Sequence, residues 1–152
     1  MKKLAVSLII IITLVISCGK DDSLTKTDLL TQAPWILKSS IYSPPYPTDY
    51  GSIADGYSIL PDYIKDDLFY YYPSGTYANM EGDSKYSPND PDVWEVGVWT
   101  FNDDETKLYK GIIDYLNEYE ILNLSGSELK TRLYFADSLN NIYSVTETYG
   151  HP

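Results

Sequence analysis

The sequence predicts an all-β protein: an eight-stranded antiparallel up-and-down barrel with a short N-terminal helix. Three observations lead there. From Asp66 onward, short apolar runs alternate with turn residues at regular intervals. Within those runs side chains alternate with a period of two, as half-buried strands require. No helical segment follows residue 66 that would supply the crossovers of a parallel sheet. Sixteen tyrosines against three phenylalanines also suit half-buried strands better than helices. A two-sheet sandwich shares this periodicity and stays open at this point.

The chain opens with Lys2 and Lys3, followed by an apolar run from Leu4 to Ile16 that only Ser7 and Thr13 interrupt. At 13 residues the run is shorter than the ~20 a membrane-crossing helix needs, so residues 1–17 read as a secretory signal. Val15-Ile16-Ser17-Cys18 resembles the bacterial lipobox. That resemblance implies alkylation of the Cys18 thiol by diacylglycerol, cleavage before Cys18 and acylation of the new amine. Several acyl chains, each contributing about 0.8 kcal/mol per buried methylene, would anchor the protein permanently. Cys18-Gly19-Lys20-Asp21-Asp22 is similar to the export signal of surface-displayed lipoproteins. Lys20, Asp21 and Asp22 are its candidate residues, and residues 18–23 are the expected tether. The expected location is the outer membrane at the cell surface, with its periplasmic face as the alternative.

The domain itself is expected over residues 24–152. Ser23 or Thr25 can cap a helix running to about Gln32, with Leu24, Leu29 and Leu30 on its apolar side, and Pro34 ends it. Trp35 to Tyr42 forms the first strand. Residues 43–61 carry Pro44, Pro45, Pro47, Gly51, Gly56 and Pro61 and read as a long loop. Leu68–Tyr72 and Thr76–Met80 make a hairpin around Pro73-Ser74-Gly75. After a second polar loop at 82–92 come strands at Trp94–Phe101, Lys107–Tyr115, Glu118–Leu124, Glu128–Ala136 and Ile142–Tyr149. Their turns are Asn102–Glu105, Leu116–Asn117, Ser125–Ser127 and Asn140–Asn141. Alternation places Phe69 and Tyr71 on one face, as it does Gly97, Trp99 and Phe101. Tyr119 with Ile121, and Leu129, Thr131, Leu133 and Phe135, form two more such sets, while Lys130 and Arg132 point to water. Closing eight such strands into a barrel removes their open edges.

Composition narrows function. The 152 residues carry 11 basic and 22 acidic side chains; losing Lys2 and Lys3 with the signal leaves nine against 22, a net of −13. That charge repels phosphate backbones, so no nucleic-acid partner is expected. Cys18 is the only cysteine, which rules out an internal disulfide. His151, the only histidine, stands beside the C-terminus, where fraying is expected, and no catalytic triad or phosphate loop can be assembled. No enzymatic activity, metal or cofactor is expected. Asp83, Asn89, Asp90 and Asp92 offer oxygen ligands without the spacing or glycine of a calcium loop, and read as a hydrated loop.

Several segments, in order, resemble the lipocalin-like domains of bacterial lipoproteins. They are Trp35-Ile36-Leu37-Lys38-Ser39, Lys65-Asp66-Asp67 leading into Ser74-Gly75-Thr76-Tyr77, and Gly97-Val98-Trp99-Thr100-Phe101. Tyr119 to Leu124 and Tyr143 to Tyr149 complete the set. Ala33 stands where true lipocalins carry the glycine of Gly-x-Trp. Such domains imply a barrel that binds a small apolar or amphipathic molecule, and Phe69, Tyr71, Trp99 and Phe101 are the candidate ligand-binding residues. A filled core is the alternative use of the same side chains. The second functional reading is an interaction module that binds a protein or glycan through Tyr42, Tyr46, Tyr50 and Tyr57 of the Tyr/Pro-rich loop.

Overall fold

A computed structural model describes residues 23–152. The signal segment, Cys18, Lys20, Asp21 and Asp22 lie outside the described residues. Helix α1 spans Lys26–Thr31, shorter than the expected segment. Thr25 caps it reciprocally: its hydroxyl accepts from the Asp28 amide at 3.1 Å, and the Asp28 carboxylate accepts from the Thr25 amide at 2.9 Å.

Nine antiparallel strands follow: β1 (Ile36–Thr48), β2 (Gly51–Asp55), β3 (Leu68–Tyr72), β4 (Thr76–Met80), β5 (Val93–Phe101), β6 (Lys107–Ile112), β7 (Tyr115–Leu124), β8 (Glu128–Ala136) and β9 (Ile142–Gly150). They form one sheet in the order β2-β1-β9-β8-β7-β6-β5-β4-β3. The eight expected strands are all present and connect up and down. The ninth, β2, lies inside the segment read as a loop, where Ile53 pairs with Tyr46. The expected Leu116–Asn117 turn is displaced toward Asp114, because Ile112 pairs with Tyr115 and Gly111 with Leu116.

The two edges of this sheet, β2 and β3, are successive parts of one chain segment. Between them residues 56–67 leave the sheet as a 3-10 turn (Tyr57–Ile59) and a one-turn helix, α2 (Asp62–Lys65). Closure comes where β3 meets the residue before β1. The Trp35 amide donates to Phe69 O at 2.9 Å, and the Phe69 amide donates to Trp35 O at 2.8 Å. The barrel is therefore shut at its helix end by one pair of residues.

Trp35 is fully buried, and its indole N–H donates to Leu30 O at 2.9 Å. The core continues through Leu30, Leu37, Tyr71, Tyr77, Trp99, Leu108, Leu129 and Tyr149. Phe69, Phe101, Tyr119 and Ile121 pack against it, so the inner face expected from alternation is the one observed. Gly75 adopts φ +82°, the left-handed conformation that lets the β3–β4 hairpin turn. His151 is anchored rather than frayed. Its ring lies 4.1 Å from that of Trp35, with Nδ1 2.8 Å from Pro34 O and Nε2 3.2 Å from Gly126 O. Distance from the chain end is thus a poor guide here, because the last strand delivers its tail onto the closure residue.

Candidate functional site

Two regions of the barrel gather side chains suited to recognition: its interior and a groove on its outer wall. Inside, β3 and β5 bring the four candidate ligand residues together. Tyr71 meets Trp99 edge-on at 6.0 Å and Trp99 meets Phe101 at 5.3 Å, while Phe69 packs against Tyr149 at 5.3 Å. The Trp99 indole is further fixed by donating to Tyr72 O at 3.0 Å. These rings pack one another. The space beside Tyr71, bounded by Leu108, Tyr119, Leu129, Thr131 and Tyr149, is only about 10 Å³. That is room for about one water beside Tyr71. Tyr71 and Trp99 belong to the packed core, with Phe69 and Phe101 against it, and Trp99 and Phe101 also border a concavity of about 410 Å³ beside Ser74 and Gly75.

One interior group was unforeseen from the sequence. Lys110, on β6, extends its ammonium inward, 5.1 Å from the ring centroid of Tyr77, 5.4 Å from Phe69, and 5.8 Å from both Tyr71 and Tyr119. Each such approach is favourable because the ring face is electron-rich. Two carboxylates share the inner face. Glu95 accepts from the Tyr77 hydroxyl at 2.7 Å and from the Asn79 amide, and Glu147 accepts from the Tyr149 hydroxyl at 2.7 Å. Burial, reinforced by these carboxylates, pushes the phenols of Tyr71, Tyr77 and Tyr149 well up, so they remain neutral donors.

The outer wall differs. Ala78 and Met80 on β4, with Val96 and Val98 on β5, alternate with the inward Tyr77, Asn79, Glu95 and Trp99 and therefore face out. With Tyr72, Ile112 and Ile113 they line a concavity of about 650 Å³ that has no charged lining residue. Val96 is 64% exposed and Ile113 78% exposed. Gly97, of inner parity between Val96 and Val98, has no side chain, and a Cβ there would stand 2.4 Å from Gly111 O and 2.6 Å from the Tyr77 ring. Gly111 O and the Tyr77 ring can sit this close only because that position is glycine. The signal in the sequence was present: Val96 and Val98 occupy the parity left for water, so β5 is apolar on both faces.

The other candidate residues are committed elsewhere. Tyr42 and Tyr46 pack onto Phe135 and Tyr143, with Tyr46 5.1 Å from Tyr143 and Tyr42 6.3 Å from Phe135, and Tyr57 packs against the core. Of the four loop tyrosines offered for a partner, only Tyr50 is fully exposed. In the 82–92 loop, Asp92 pairs with Lys85, and Asp90 accepts from the Ser87 amide at 2.8 Å. Among the described residues, no group of three or more His, Cys, Asp or Glu side chains is placed to hold a metal ion. No described helix is long and apolar enough to cross a membrane.

Two neighbouring carboxylates at the entry to β3 behave oppositely. Burial works against the Asp66 charge, but the amide and hydroxyl of Ser84, both at 2.8 Å, hold its pKa below the usual value. Asp67 is 5% exposed; burial first, and then the nearby Glu81 charge, raise its pKa to about 6. Its Oδ1 has no hydrogen-bond partner.

No family model matches this chain, and no curated protein sequence matches it. Its shape is similar to that of bovine odorant binding protein. Against a complex of that protein with undecanal, sequence identity is 14% and the TM-score 0.44, covering 88% of this chain and 77% of the other. Against odorant-binding protein from bovine nasal mucosa the values are 13%, 0.44, 88% and 77%. A deswapped triple mutant of the bovine protein gives 14% and 0.41, over 79% and 72%. Likeness at this level assigns no ligand to this chain.

Proposed function

We propose that this protein is an outer-membrane lipoprotein, anchored through Cys18 and displayed at the cell surface, that binds a small apolar or amphipathic molecule. The binding site is the groove on β4, β5 and the end of β6. One observation carries the binding reading: the outer groove encloses about 650 Å³ with an uncharged, mainly apolar lining, against about 10 Å³ in the interior beside Tyr71. Ligand sites occupy roughly 300–1,000 Å³ and are lined mainly by apolar side chains. Because the groove is open on one side, an amphipathic molecule can bury its tail there and keep its polar end in water. A net charge of −13 on the mature chain favours neutral or cationic ligands over fatty acid anions.

Titration of the domain with the neutral fluorophore N-phenyl-1-naphthylamine, followed by displacement with a long-chain alcohol, tests the groove. Val96→Asp places a carboxylate in the apolar wall and should weaken binding about tenfold or more, a loss of about 1.4 kcal/mol per decade. Unchanged affinity would place the ligand elsewhere. The anchor is tested separately. Radiolabelled palmitate should enter the wild-type protein and be lost in Cys18→Ala, whereas labelling that persists would contradict the lipobox reading. Replacing Lys20, Asp21 and Asp22 by alanine should reduce the digestion of intact cells' protein by added protease if those residues direct surface display.

A further inference from the structure

We propose that the barrel interior is a recognition site for an organic ammonium group, and that Lys110 is a tethered occupant which such a ligand displaces. Tyr77 borders both this site and the outer groove, but the proposal does not depend on what the groove binds.

The argument starts from what a lysine on an inner barrel face requires. Lys110 is half-buried, and an ammonium that gives up part of its water gains from a counter-ion or another source of negative potential. Lys110 makes no ion pair within 4.0 Å among the described residues; those found use Lys65, Lys85, Lys107 and Arg132. Instead four aromatic rings, from β3, β4 and β7, surround its Nζ with centroids at 5.1–5.8 Å. This is the arrangement by which proteins recognise ammonium ligands: several ring faces around one diffuse positive charge. Glu95 and Glu147 supply the longer-range negative potential. Each is held by a tyrosine hydroxyl at 2.7 Å, so neither needs to move to receive a cation. Lys110, Glu95 and Glu147 all act electrostatically on the Tyr119 phenol, which places the ammonium and both carboxylates around one ring.

The lysine stem is flexible, with four rotatable methylenes and a charge that is stable in water. Swinging out into water, it would free the space its ammonium now fills between the rings. The water-sized space bordering Lys110 and Thr131 gives an incoming group its first room. A ligand of this chemistry is an alkylamine or a quaternary ammonium compound. Its affinity for the wild-type protein is reduced by competition with the tethered ammonium.

The test compares wild type with Lys110→Ala, using tetramethylammonium chloride as the cation and neopentyl alcohol as a compact uncharged comparison, at constant ionic strength. Calorimetry on Lys110→Ala should give saturable tetramethylammonium binding about tenfold tighter than in wild type. Neopentyl alcohol should bind about tenfold more weakly than the cation, and adding Glu95→Gln should weaken the cation several-fold. The proposal is overturned if Lys110→Ala shows no saturable tetramethylammonium binding. Equal binding of the alcohol also overturns it, because the site would then be selecting shape and not charge. Should Lys110→Ala fail to fold alone, tetramethylammonium must restore its β-sheet circular dichroism where sodium does not, since a ligand of the native state stabilises it by mass action. Absence of that rescue is equally a refutation.

Discussion

Trp35→Ala should cost about 3–5 kcal/mol of stability, the usual range for removing a buried tryptophan. That is a large share of the roughly 5–15 kcal/mol that holds a typical domain together. The backbone bridge to Phe69 can survive the change, because its two hydrogen bonds use main-chain atoms. What disappears is the fully buried indole, its hydrogen bond to Leu30 O and its tilted ring contact with His151. The loss falls at the one place where β3 meets the start of β1, so the helix, the closing strand and the C-terminal tail all lose their common partner. Urea denaturation should show a lower midpoint with little change in slope if the native barrel persists. Trp35→Phe, which keeps an aromatic body but not the N–H, should lose distinctly less. A loss below about 1 kcal/mol for Trp35→Ala would mean that closure does not depend on this side chain.

Asp67→Asn should stabilise the protein at pH 7.5 by roughly 1–3 kcal/mol, since one pKa unit corresponds to about 1.4 kcal/mol. The sign follows from proton binding. Asp67 has a folded pKa raised to about 6, above its unfolded value of 3.8, so between those values the native state binds the proton more tightly. Its buried charge thus opposes folding in full above about pH 6, and the opposition disappears as the pH falls through that value toward 4. The wild type as a whole need not gain stability on acidification, because carboxylates such as Asp66 have lowered values and lose favourable interactions there. The difference between variant and wild type isolates Asp67: the gap should be widest above pH 6.5 and close by about pH 4. A gap independent of pH, or a variant less stable at pH 7.5, would contradict the buried charge.

Most of the barrel was legible because its turns and alternation agree. Pro73-Ser74-Gly75 forms a turn, with its glycine at positive φ, and the Leu129-Thr131-Leu133-Phe135 face lies inward opposite Tyr149, Glu147, Val145 and Tyr143. Strand β2 was hidden because prolines dominate the segment that leads into it, and edge pairing tolerates proline in a way that central pairing does not. The β6–β7 turn was misplaced because Leu116-Asn117 resembles a turn locally, whereas the ladder from Lys107 to Ile112 sets the register. The site divided along similar lines. Phe69 and Tyr71 were identified as inward aromatics, and both are rings of the Lys110 cage. Lys110 itself was not identified, since a lysine in a strand ordinarily marks the wet face. Val96 and Val98 escaped notice because apolar residues of the outward parity are usually scattered singly, and only the folded sheet gathers them with Met80, Ile112 and Ile113.

Methyl-resolved NMR of the domain titrated with 1-decanol tests the groove most directly. The account predicts saturable shifts at the methyl groups of Ala78, Met80, Val96, Val98, Ile112 and Ile113, with Leu108 and Leu129 in the core unmoved. Saturable shifts at Leu108 and Leu129 with the outer wall silent, or no saturable shift anywhere, would contradict it.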